Sequence, residues 1–73
     1  MKYQRIQDLR KDADLTQQQM AEKLGLWTTT YARYERGEKE IPFEIAIELS
    51  KFHNISLDYI AGLINTPKKL KKD

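Results

Sequence analysis

The sequence predicts an all-α fold, five short helices in one compact domain. Three observations point there. Apolar residues recur at helical spacing along most of the chain, helix-start and helix-stop residues fall between those runs, and no β-branched alternation is long enough for a sheet. Seventy-three residues with three glycines and two prolines make one domain rich in helix formers. A chain this small buries only about 60% of its unfolded surface, so its stability is modest unless it associates.

The elements follow in order. Residues 3–13 read as a first helix, with Ile6, Leu9 and Ala13 inward. Thr16 caps a second helix over residues 17–24, and Gln19 stands three residues later at capping-box spacing. Met20, Ala21 and Leu24 share its inner face. Gly25 accepts the left-handed turn needed where that helix stops. A third helix covers residues 28–36, with Tyr31 and Tyr34 inward and Gly37 as its left-handed end. Pro42 suits the first position of a fourth helix, because its missing N–H would be unpaired there anyway. Ile45, Leu49 and Phe52 make its core stripe, and Asn54 tolerates a left-handed stop. Ser56 caps a fifth helix that carries Leu57, Tyr59, Ile60 and Ala61 and ends near Gly62.

The stretch over residues 16–37, TQQQMAEKLGLWTTTYARYERG, is the most informative. Two short amphipathic helices surround one glycine. The outward face of the second shows Thr28, Thr29, Thr30 and Arg33, small hydroxyls and one guanidinium. That is the layout of a helix-turn-helix, whose second helix lies in the major groove of DNA. Three threonines in a row on a merely solvated helix face would be poor for stability, since threonine is a mediocre helix former.

The pattern T-Q-x-x-x-A-x-x-x-G-L, followed at its spacing by Y-E-R-G, resembles the phage repressor and Cro-like (XRE-type) helix-turn-helix proteins. The resemblance is specific over residues 16–37. It continues more loosely from about Tyr3 to Gly62, where S-L-D-Y-I-A-G is similar to the last core helix of that family. It implies a lambda-repressor-like five-helix domain over residues 1–66 that binds double-stranded DNA. It also implies a homodimer on an inverted-repeat operator, acting on transcription by occupancy.

Residue roles follow from the same resemblance. Thr28, Thr29 and Arg33 match base-reading positions; threonine can bond either base type or meet a thymine methyl, and arginine reads guanine N7 and O6. Gln17, Trp27, Thr30, Arg36 and Lys39 match positions at the DNA backbone, where contacts need only loose placement. Arg10 and Glu35 match an internal ion pair that fixes the first helix against the third. Ile41, Leu57, Ile60, Leu63 and Ile64 together exceed what five small helices can bury; some are core, and the rest are the expected dimer contact, which in that family often involves the last-helix region. Two residues depart from the pattern. Trp27 stands where the family usually has a capping serine or threonine. Tryptophan cannot cap, so Thr28 could take over and move the helix start by one residue. Trp27 is then either a packed anchor at the protein–DNA boundary or part of a partner surface. Tyr31 replaces an aliphatic residue, and its hydroxyl must find a partner or water.

Charge and chemistry bound the alternatives. The net charge of +2 is weak support for nucleic-acid binding, because it is unevenly spread. Residues 1–66 hold nine Lys/Arg against ten Asp/Glu, whereas the tail over residues 67–73 sets Lys68, Lys69, Lys71 and Lys72 against Asp73. A DNA-binding face must therefore come from local segregation of charge. The tail has little apolar content and is expected to be flexible, either as a solubilising end or as a reach to the DNA backbone. With no cysteine there is no disulfide framework and no thiolate metal site. No metal cluster, nucleophile–base pair or phosphate-cradling glycine loop is present, so neither enzyme nor cofactor is expected. His53 reads as a helix C-terminal residue without chemistry. The chain shows no long apolar run and no signal-peptide pattern, which leads to the expectation of a cytoplasmic protein with no membrane partner. The rival reading is the DNA-binding antitoxin of a toxin–antitoxin pair, or a helix-turn-helix that serves as an interaction module.

Overall fold

The chain forms α1 (Gln4–Asp12), α2 (Gln17–Leu24), α3 (Thr28–Glu35), α4 (Phe43–His53) and α5 (Leu57–Ile60). This computed structural model describes residues 4–61. Expectations placed on Tyr3, Gly62, Leu63, Ile64 and the 67–73 tail lie outside the described residues. No helix among the described residues is long and apolar enough to cross a membrane.

The helix ends carry the local logic. Thr16 caps α2 through a reciprocal box: its Oγ1 accepts from the Gln19 N–H at 3.1 Å, and its own N–H donates to Gln19 Oε1 at 2.9 Å. Ser56 caps α5 by accepting from the Tyr59 N–H at 3.2 Å. Four helices then stop in the same way. Asp14, Gly25, Gly37 and Asn54 take left-handed φ values of 58°, 71°, 74° and 55°. At each, the next residue returns its N–H to a carbonyl five residues back: Leu15 to Arg10, Leu26 to Ala21, Glu38 to Arg33 and Ile55 to Ser50. These bonds satisfy carbonyls the helix itself leaves open and turn the chain sharply, so short helices can stack around one centre.

That centre is built from every helix. Ile6 of α1, Met20 and Ala21 of α2, Tyr31 and Tyr34 of α3, Leu49 of α4, Ile55 of the turn that follows and Ile60 of α5 form one buried cluster. Leu9, Leu24, Ile45 and Tyr59 pack against it half-buried. Ser50 is buried with its hydroxyl donating to the Ile55 carbonyl at 2.6 Å, which ties α4 to the turn before α5.

Several expectations need correction. Ala13 is exposed, because α1 ends at Asp12 and the Asp14 turn carries the chain away. Pro42 stands one residue ahead of α4 in an extended conformation, and its carbonyl accepts the first bonds from Ile45 and Ala46. Phe52 is not a core residue: it is exposed, its ring meets His53 edge-on, and the Lys23 ammonium lies 5.7 Å from its centre. Three residues past Leu49, it falls on the flank of the stripe that Ile45 and Leu49 define. α3 stops at Glu35 rather than Arg36, which sits at the cap.

Candidate nucleic-acid interface

α3 has two opposite characters on one two-turn rod. Tyr31, Ala32, Tyr34 and Glu35 are buried. Thr28, Thr29 and Arg33 are exposed, and Thr30 is half-buried at the margin. Thr29 and Arg33 are four residues apart and so lie one above the other on the outer face. Thr28 begins the helix. It does not take over the cap, which falls on Trp27 in an extended conformation with no side-chain bond. Thr28 therefore stays within the helix, on the exposed side.

The indole of Trp27 is 82% exposed at the head of α3. Trp27 is thus not packed within this domain, which leaves open both roles expected of it, an anchor at a DNA boundary or part of a partner surface.

The inner side of α3 is locked by charge as well as packing. Arg10 of α1 donates from Nε to Glu35 Oε2 at 2.7 Å and from Nη2 to Oε1 at 3.2 Å. A third Arg10 bond, from Nη1, reaches the Leu15 carbonyl at 2.8 Å. Gln17 at the start of α2 adds its amide to Glu35 Oε1 at 3.0 Å. One carboxylate thereby joins α1, α2 and α3. Burial opposes ionisation of Glu35, but its polar neighbours, Arg10 foremost and then Tyr31 and Gln17, outweigh it and hold the carboxyl below the usual range. The Tyr31 hydroxyl, buried beside this pair, completes no hydrogen bond among the described residues. Burial pushes its pKa well above the ordinary tyrosine value.

The far end of α3 carries a second charged group. Arg36 holds Glu38 through Nε at 2.6 Å and Nη2 at 3.3 Å, and Arg33 Nε lies 3.9 Å from the same carboxylate. Lys39 is exposed and makes no ion pair among the described residues. The structure leaves Thr28, Thr29 and Arg33 exposed on α3, Trp27 exposed at its head and Arg36 exposed at its end, with Lys39 exposed in the loop that follows. It turns the Gln17 amide inward, toward Glu35. The reasoning from sequence missed that role of Gln17, as it missed Glu38.

Two more features went beyond the sequence reading, Arg5 on Tyr59 and the exposure of Phe43. Arg5 of α1 stacks its guanidinium 4.3 Å from the Tyr59 ring centre and donates to the Tyr59 carbonyl at 3.0 Å, fastening α5 to α1. Phe43 is 70% exposed and, with Ile41, Ala46, Leu57, Ile60 and Ala61, lines a shallow apolar groove between α4 and α5. Of the residues expected at a dimer contact, Ile41 and Leu57 are half-buried in this groove, while Ile60 is buried as part of the core.

A capped helix, a left-handed glycine turn and a second helix with a buried side and a polar outer side define a helix-turn-helix unit, here inside a five-helix domain. The chain belongs to the helix-turn-helix family, which matches it over residues 6–60. It is 39% identical over 64 residues to an uncharacterized HTH-type transcriptional regulator of Bacillus subtilis, YobD, covering 88% of this chain and 57% of the relative. It is 32% identical over 69 residues to the HTH-type transcriptional regulator ImmR of the same organism, covering 94% and 54%. It is 35% identical over 72 residues to the cryptic phage CTXphi transcriptional repressor RstR of Vibrio cholerae, covering 92% and 62%. The chain thus spans little more than half the length of these relatives. No solved structure matches it significantly.

Proposed function

We propose that this domain binds duplex DNA sequence-specifically, as a homodimer, and regulates transcription by occupying an operator. One observation carries the reading: a rigidly held α3 whose exposed edge is Thr28, Thr29 and Arg33. A base-reading helix must present short donors and acceptors without moving, and α3 is fixed from behind by Tyr31, Tyr34 and the Arg10–Glu35 pair. The names of the relatives, regulators and a phage repressor, point the same way.

In this reading α3 enters the major groove and Arg33 contacts a guanine edge. Thr28 and Thr29 meet neighbouring bases. Arg36, Lys39 and Thr30 contact phosphates, and the Trp27 indole packs on the sugar–phosphate edge. Gln17 keeps Glu35 with one amide hydrogen and offers the other outward to the backbone. The apolar groove beside Phe43 supports the dimer, since two copies could cover each other's exposed ring about a two-fold axis.

Selection from a random duplex library tests the proposal. The expected product is an inverted repeat with half-site centres one helical turn apart, roughly 34–36 Å. A pool with no enriched sequence would reject the reading.

A further inference from the structure

The turn after α3 places a carboxylate among the cations of the proposed DNA face. Gly37 takes its left-handed φ of 74° and folds the chain back. The Glu38 N–H donates to the Arg33 carbonyl at 3.0 Å, and the Gly37 N–H to the Tyr34 carbonyl at 3.1 Å. The backbone of residue 38 is therefore pinned to the last turn of the helix, which brings its side chain within reach of the arginines there. Arg36 grips the carboxylate with two bonds, and Arg33 lies 3.9 Å away. These contacts hold the Glu38 carboxyl below its usual range, the Arg36 bonds being the larger cause. All three side chains are about half exposed.

A guanidinium fork accepts a carboxylate and a phosphate with the same two-bond geometry. Glu38 occupies the fork that a DNA phosphate would need. We propose that Glu38 is an internal stand-in for phosphate: it holds Arg36 and restrains Arg33 in the free protein, and a duplex must displace it to bind. The inference rests on the DNA-binding reading above. Its consequence is an affinity set lower than the cations alone would give. An exposed pair is weak, so displacement is easy, yet every duplex must achieve it. The displaced carboxylate then stands near the DNA and takes up a cation, which offsets part of the counterion release that drives binding.

The test compares the intact chain, Glu38→Gln, Arg36→Gln and the double variant on the selected operator and on a random duplex of equal length, across salt concentrations. Glu38→Gln should bind both duplexes more tightly, roughly two- to fivefold, because a phosphate contact reads no sequence. The slope of log affinity against log salt should steepen by up to about one unit. In the Arg36→Gln background the gain should shrink toward none. Equal affinity and slope for Glu38→Gln and the intact chain would overturn the proposal while leaving DNA binding intact. So would a gain that persists without Arg36, which would mark a general charge effect, or a gain confined to the operator. If the intact chain binds neither duplex at low salt, the DNA-binding reading fails, and the proposal with it. Urea midpoints of all variants, expected to match, show that the fold is not what changes.

Discussion

Two arginine–carboxylate pairs flank α3, alike in geometry and opposite in surroundings. Arg10–Glu35 closes with bonds of 2.7 and 3.2 Å, and Arg36–Glu38 with 2.6 and 3.3 Å. The side chains of the first pair are 10% and 2% exposed; those of the second are 52% and 50% exposed. Burial separates their roles. The inner carboxylate has no water to replace a lost partner, so its arginine is a structural fixture. The outer one exchanges partners at little cost, as the proposed contact with DNA phosphate requires. The helix between them is held on one side and available on the other.

The comparison breaks most visibly at Glu35. Glu35→Ala leaves Arg10 buried without its counter-charge and removes the Gln17 bond. A loss of about 3–5 kcal/mol is expected, a large share of what a domain of this size has, read as a fall in the urea midpoint. A midpoint within experimental error of the intact chain would show that the inner pair is as dispensable as the outer. Acid should act on the same group. The folded carboxyl lies below its unfolded value, so its contribution is present above the ordinary glutamate range, about 4.3, and is lost as pH falls through the folded value. The intact chain should therefore lose stability over that acid range, and Glu35→Gln should lose less of it.

Arg33→Ala comes next and acts on DNA rather than on stability. It should cost about 1–3 kcal/mol on the selected operator and relax preference at one base pair, measured by competition with single-base variants. An equal loss on operator and random duplex would move Arg33 to the backbone and make it a second Arg36.

Smaller still is the groove. Phe43→Ala uncovers no core, so the fold should hold while self-association weakens roughly tenfold in sedimentation equilibrium. An intact chain that is already monomeric while bound to paired half-sites would remove the groove from the account.

What the sequence made legible was local. The Thr16–Gln19 box, the turns at Gly25, Gly37 and Asn54, and the Ser56 cap are each settled within a few residues, and α2 was readable to its ends. The face of α3 was readable because inward tyrosines and outward threonines alternate at helical period. What reaches across the chain was not. Arg10 and Glu35 are 25 residues apart and entered only through the family resemblance. Arg5 and Tyr59 are 54 apart and had no signal at all. Phe52 read as part of the core stripe and Phe43 drew no reading; the placement of α4 against its neighbours leaves both exposed. Glu38 looked like one loop charge among others until the Gly37 turn put it on Arg36. A reader of sequence could have found it: the residue after a left-handed glycine returns to the last helical turn, and arginines stand at residues 33 and 36.

The head of α3 offers the most direct measurement. Trp27 is the only tryptophan in the chain and is 82% exposed. Its emission can be followed as operator duplex is added, with acrylamide quenching measured before and after and binding followed independently by the anisotropy of labelled DNA. If α3 enters the groove, Trp27 emission should change saturably in step with the anisotropy, and acrylamide should lose access. Duplex bound with Trp27 emission and acrylamide access both unchanged would contradict the account, because the DNA would then lie on another face and Trp27 would be left for a protein partner.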